Sequence, residues 1–64
     1  PNSIPKKRKT IIDENVWIST NVIILQNVSQ IGKNSIIAAG SVLSKDVPEN
    51  SIFGGIPAKL IGKL

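Results

Sequence analysis

Between positions 12 and 47 a branched aliphatic residue returns at every sixth place, with one slip, and a turn-forming residue follows three places behind it. Written in sixes, the stretch reads IDENVW (12–17), ISTNVI (18–23), ILQNVS (24–29), IGKNSI (31–36), IAAGSV (37–42) and LSKDVP (43–48), with Gln30 left over. A period of six is neither the 3.6 of a helix nor the plain alternation of an isolated strand, and an internal repeat outranks local propensity when a fold is assigned.

The first places hold Ile12, Ile18, Ile24, Ile31, Ile37 and Leu43, and the fifth places Val16, Val22, Val28, Ser35, Ser41 and Val47. On short strands both sets turn inward, because side chains two apart share a face. The fourth places hold Asn15, Asn21, Asn27, Asn34, Gly40 and Asp46, residue types that readily accept a left-handed backbone. A corner every six residues makes a triangular coil of about 18 residues, stacked about 4.8 Å apart into three parallel sheets around an aliphatic axis. The expected fold is therefore all-β: a hexapeptide-repeat parallel β-helix over 11–47, about two coils long. Ile12, Ile18 and Ile24 should stack on Ile31, Ile37 and Leu43, with Gln30 bulging out at a corner.

Residues 1–10 read as a loop. Residues 48–64 read as a cap: Pro48 cannot donate to a ladder, Glu49 and Asn50 suit a turn, and Ser51, Ile52 and Phe53 can fold over the open end of the prism. A helical turn is expected over 58–61, with Pro57 at its start. The sixth places point outward yet hold Trp17, Ile23, Ile36 and Val42, which should stack as two columns, Trp17 with Ile36 and Ile23 with Val42. Exposed apolar columns fit a covering loop, a subunit interface or the wall of a ligand groove.

Composition sharpens this picture in three ways. At 64 residues the chain is one domain at most, and a chain of that size buries only about 60% of its unfolded surface. Solenoids generally need about three or more repeats, so more chain upstream, partner subunits or both are expected. Pro1 and the absence of methionine point the same way, to a fragment or processed product. There is no cysteine, no apolar run long enough for a membrane helix and no signal-peptide pattern, so a cytoplasmic setting is expected. The net charge is +4. Its densest run, Lys6, Lys7, Arg8 and Lys9, suits a solvated segment, a phosphorylated ligand or nucleic acid; the lack of an accompanying aromatic residue weighs against the last.

No histidine occurs, which removes an imidazole base or ligand from this chain. The carboxylates Asp13, Glu14, Asp46 and Glu49 do not converge in the sequence pattern and read as turn-formers and solvated charges. No catalytic residue and no metal ligand is assigned. What remains is cationic and backbone chemistry: Lys45, Lys59 and Lys63 with the small residues Ala38, Ala39 and Gly40, a combination that lets a ligand approach the backbone and holds phosphates by point charge.

The run IGKNSIIAAGSVLSKDVPENSIFGGIPAKLI (31–61) closely resembles the C-terminal segment of the hexapeptide-repeat acyltransferases, and VWIST (16–20) resembles their preceding "VWIG" coil. The branch it is most similar to is the sugar O-acetyltransferases of the galactoside, maltose and capsular-polysaccharide type. This resemblance implies a left-handed coil, a homotrimer, and acetyl-coenzyme A as co-substrate in a groove between neighbouring subunits, with a sugar or saccharide hydroxyl as acceptor. By the same resemblance Trp17 lines the groove, Thr20 contacts the cofactor, Ala39 offers backbone to the pantetheine arm, Ser44 and Lys45 lie near the cofactor, and Lys59 approaches its nucleotide phosphates. Ser19 and Ala38 stand where the family has glycine, and GGIPAK replaces GNPAK. The family's general base is a histidine in an upstream coil, which this chain does not contain. The chain is thus expected to be the C-terminal part of an acetyltransferase, supplying groove and trimer surface but not the base. The alternative is a non-catalytic solenoid used for assembly, and nucleic-acid binding is a distant third.

Overall fold

A computed structural model describes residues 9–64. Every regular element in it is a strand: β1 (Ile11–Ile12), β2 (Trp17–Ile18), β3 (Ile23–Ile24), β4 (Gln30–Ile31), β5 (Ile36–Ile37), β6 (Val42–Leu43), β7 (Ser51–Gly55) and β8 (Ala58–Lys63). β1 pairs with β4, β2 with β5 and β3 with β6, all parallel, making the three faces of a prism. The expected rungs form: Ile12 lies against Ile31, Ile18 against Ile37 and Ile24 against Leu43. Both outward columns form too, Trp17 against Ile36 and Ile23 against Val42. No helix is long and apolar enough to cross a membrane among the described residues.

Ile31, Ile37 and Leu43 are completely buried, with Val28, Val47, Phe53 and Ala58 completing the core. Their first-coil counterparts Ile18 and Ile24 are only partly buried, and Ile12 is exposed. In the second coil β4 is also bridged to Val47 and β5 also pairs with β7, whereas the first coil has a neighbour on one side only among the described residues. The inward serines Ser35, Ser41 and Ser51 are fully buried. Each hydroxyl donates to a nearby carbonyl, of Pro48 (2.8 Å), Ala38 (2.7 Å) and Glu49 (3.1 Å) respectively, so burial leaves no hydroxyl unpaired.

The corners divide into two kinds. Asn15, Asn21, Asn34 and Gly40 have φ of 57°, 57°, 63° and 71°, the left-handed turns expected of them. Asn27 and Asp46 do not, and their corner is also where the even spacing fails. Gln30 is not bulged out: it sits in β4 opposite Ile11. The extra residue is absorbed just before it, where the Val28 N–H bonds back to the Leu25 carbonyl (3.0 Å) and turns Val28 into the core. In the next coil the same corner is short, so Val47 bridges to Ile31 as the next axial residue rather than filling a fifth place. The chain therefore advances 19 residues from Ile12 to Ile31 but 16 from Ile31 to Val47.

This shift realigns everything downstream. VPENSI (47–52) repeats IGKNSI (31–36), with Asn50 at a left-handed corner (φ 56°). Ile52 and Phe53 do not fold across the open end; they lie in parallel register on Ile36 and Ile37. The helical turn expected over 58–61 is not formed. After Ile56 and Pro57, joined by a cis peptide, the chain returns as β8, antiparallel to β7. Without β8, the outer edge of β7 would present a row of unpaired backbone groups, and a returning strand satisfies more of them than one helical turn would. The basic run at 6–8 lies outside the described residues.

Candidate functional site

The corner after β2 and β5 holds two of the residues assigned to the cofactor, Thr20 and Ala39, and a third, Lys59, lies on the same sheet. Asn21 and Gly40 turn the chain there, and the Gly40 N–H donates to the Thr20 carbonyl (2.9 Å), which places Ala39 over Thr20 with both exposed. In the next layer the Ser41 hydroxyl accepts from the Gly55 N–H (3.1 Å), and the Ala38 N–H donates to the Phe53 carbonyl (2.8 Å). Small residues are required on this edge. A Cβ on Gly54 would sit 3.1 Å from the Ala38 Cβ and 3.1 Å from the Ile61 Cδ1, tighter than ordinary contact. Lys59 lies on β8 directly across from Gly54, exposed. Thr20, Ala39 and Lys59 thus share an edge of low side-chain bulk with a cation at one end.

Ser44 and Lys45 lie at the following corner, not this one. The Ser44 carbonyl accepts from the Asn27 Nδ2 (2.6 Å). Asp46 accepts the Ser29 N–H (2.7 Å) and Gln30 N–H (3.3 Å) on Oδ1 and the Ser29 hydroxyl (2.7 Å) on Oδ2. The Ser29 hydroxyl, then the backbone N–H groups, hold the Asp46 carboxyl below its ordinary value, because each bond favours the ionised form. Lys45 is exposed between these two tied residues.

Trp17 stands on the same four-stranded sheet, β2-β5-β7-β8, that carries Lys59. It stands on the outer face of β2, 67% exposed, on the column it forms with Ile36 and Ile52. Beside it runs an open groove of about 430 Å³ lined by Asn15, Trp17, Asn34, Ile36, Asn50 and Leu64. Its polar wall is a ladder of amides: Asn15 Nδ2 donates to Asn34 Oδ1 (2.8 Å) and Asn34 Nδ2 to Asn50 Oδ1 (3.0 Å). One chain therefore places Trp17, Thr20, Ala39 and Lys59 on or beside one sheet, and Ser44 and Lys45 at a separate corner. Sequence reasoning named Asn27 only as a corner and Asn50 only as a turn residue, and gave Ser29 no role. The match of VPENSI to IGKNSI was the signal that would have found Asn50.

Three flat parallel faces joined by short corners, with asparagine or glycine at the regular ones, define a hexapeptide-repeat β-helix. No protein-family profile matches the chain. The galactoside O-acetyltransferase of Lactococcus lactis is 46% identical to it over 57 residues, which is 89% of the chain and 27% of that protein. A 2,3,4,5-tetrahydropyridine-2,6-dicarboxylate N-acetyltransferase of Clostridium perfringens is 47% identical over 57 residues, 89% of the chain and 24% of that protein. A hexapeptide-repeat acetyltransferase of Vibrio cholerae, solved in complex with acetyl-coenzyme A, superposes with a TM-score of 0.84 at 42% identity, over 89% of this chain and 31% of that one. The coil is thus the left-handed β-helix, and the chain belongs to the hexapeptide-repeat acetyltransferases, of which it carries a segment. It spans about a quarter to a third of the proteins it matches.

Proposed function

We propose that the chain is part of a cytoplasmic O-acetyltransferase that takes acetyl-coenzyme A as co-substrate and a sugar or saccharide hydroxyl as acceptor. The observation that carries this reading is the edge of Thr20, Ala39, Gly54 and Lys59. The narrow pantetheine arm needs a track where backbone is exposed and side chains are small, and its nucleotide end needs cations. The galactoside O-acetyltransferase relative supports the sugar acceptor.

In this reading Thr20 and Ala39 hold the arm, Lys59 and Lys45 meet phosphates, and Ser44 flanks them. Since one chain sets Ser44 and Lys45 at a separate corner from Thr20, Ala39 and Lys59, the groove closes when copies assemble as a homotrimer, with the columns Trp17–Ile36–Ile52 and Ile23–Val42 as contact surfaces. Acetyl transfer forms an ester bond from the acceptor oxygen to the acetyl carbonyl and breaks the thioester. A general base takes the acceptor's proton, and the leaving thiolate regains one. This chain's residues orient the thioester; the base is supplied by a part of the protein outside this segment.

Calorimetric titration of the full-length protein with coenzyme A tests the reading. Micromolar binding is expected, with Lys59→Ala and Lys45→Ala each weakening it by about threefold to tenfold, as for loss of one charge-assisted contact. Wild-type affinity in both variants would remove the phosphate roles. No binding at all would leave the solenoid as an assembly module, which the exposed Trp17 and Ile23 also suit.

A further inference from the structure

Lys45 stands on the shortest corner of the solenoid. The chain leaves β6 at Leu43 and reaches the next axial residue, Val47, after three residues, whereas the coil beneath passes from Ile24 to Ile31 through six. The two corners are tied on either side of Lys45. Before it, the Ser44 carbonyl is held by the Asn27 amide at 2.6 Å. After it, the Asp46 carboxylate is held by the Ser29 N–H and hydroxyl, both at 2.7 Å, and by the Gln30 N–H at 3.3 Å. The long corner below is what reaches these groups, because its extra residue brings Asn27, Ser29 and Gln30 up to the short corner above.

These bonds do two things for the lysine. They fix the backbone on each side of it, so that less freedom is lost when a ligand is met. They also engage both oxygens of the neighbouring carboxylate with donors from the coil below, which turns it towards Ser29. We propose that Asn27 and Asp46 are positioning residues for Lys45: the long corner of one coil clamps the short corner of the next and presents the Lys45 ammonium to a phosphate-bearing ligand. This rests on the reading of the chain as a coenzyme A-binding segment.

The test is a double-variant cycle on the full-length protein, with coenzyme A as the titrant and thermal unfolding as the control for folding. Asp46→Ala and Asn27→Ala are each expected to weaken binding by about threefold to tenfold. Asp46→Asn should retain more affinity, since its Oδ1 still accepts the Ser29 N–H while its amide can donate to the Ser29 hydroxyl. In a Lys45→Ala background neither change should weaken binding further, because the group being positioned is gone. Losses that multiply in the double variants overturn the clamp, as does unchanged affinity in Asp46→Ala and Asn27→Ala. If Lys59→Ala weakens binding and Lys45→Ala does not, the clamp falls while the cofactor reading stands. A wild-type protein that does not bind coenzyme A sinks both. Should Asp46→Ala not fold, Asp46→Asn and Asn27→Ala complete the cycle.

Discussion

Gly32 and Gly40 are both glycines of the second coil, and they are glycine for different reasons. At Gly32 the next coil passes overhead: its N–H donates to the Val47 carbonyl (2.8 Å), and a Cβ would fall 2.5 Å from the Glu49 nitrogen and 2.8 Å from both the Glu49 Cα and the Pro48 carbonyl carbon. Those are backbone atoms of a rung, so relief requires two coils to part. At Gly40 the added Cβ meets nothing within 4 Å, but φ is 71°. Gly32→Ala should therefore destabilise by about 1–3 kcal/mol through overpacking, and Gly40→Ala by about 1–2 kcal/mol through backbone strain alone. Urea unfolding of the two variants checks this, and an asparagine control separates them. Gly40→Asn should recover most of the loss because asparagine accepts the left-handed region, whereas Gly32→Asn should be at least as damaging as the alanine.

The corner is the element that sets the register of this fold, and its chemistry is shared between layers. Asn34 illustrates the sharing, since it holds a left-handed φ of 63° and also links Asn15 below to Asn50 above. Asn34→Gly keeps the turn and removes both side-chain bonds; Asn34→Ala removes the bonds and strains the turn. The expected order of thermal stability is wild type, then glycine, then alanine, with about 1–2 kcal/mol between the last two. Equal loss in both would mean that the ladder, not the backbone, holds the corner. The regular corners were legible in the sequence because an aliphatic axis and a left-handed residue recur together, so the rungs from Ile12 to Leu43 follow from the spacing alone. The irregular corner was not legible. An insertion of one residue followed by a contraction of two preserves the hydrophobic character of Val47 while changing its role, and a strict frame of six then hides VPENSI. The Ala58–Ile61 run failed for a related reason: local propensity after Pro57 suits a helical turn, but the open edge of β7 decides its conformation. Of the candidate site, Thr20 and Ala39 were assigned from the resemblance, and the structure sets them one over the other at one corner. The ties from Asn27 and Ser29 were not legible, because they depend on which corners lie in adjacent layers.

For the molecule as a whole, the outward face is as informative as the axis. Ile23 is 56% exposed and Trp17 67%, each heading a column continued by Ile36 or Val42 in the layer above. On separate faces of a prism these columns cannot be covered by one another. In the proposed homotrimer, with parallel axes, each face turned inward would meet a neighbour, so that the columns would leave water without any change in the coil and the edge bearing Thr20 and Ala39 would approach the neighbour's face. Assembly and cofactor binding should then be lost together. Ile23→Lys puts a charge into that contact at a position whose side chain makes no contribution to the axis, so the coil itself should persist by circular dichroism. Sedimentation equilibrium is expected to show a trimer for the wild type and a monomer for the variant, and coenzyme A affinity should fall by at least about tenfold. A monomeric Ile23→Lys that still binds coenzyme A as the wild type does would place the whole groove within one chain.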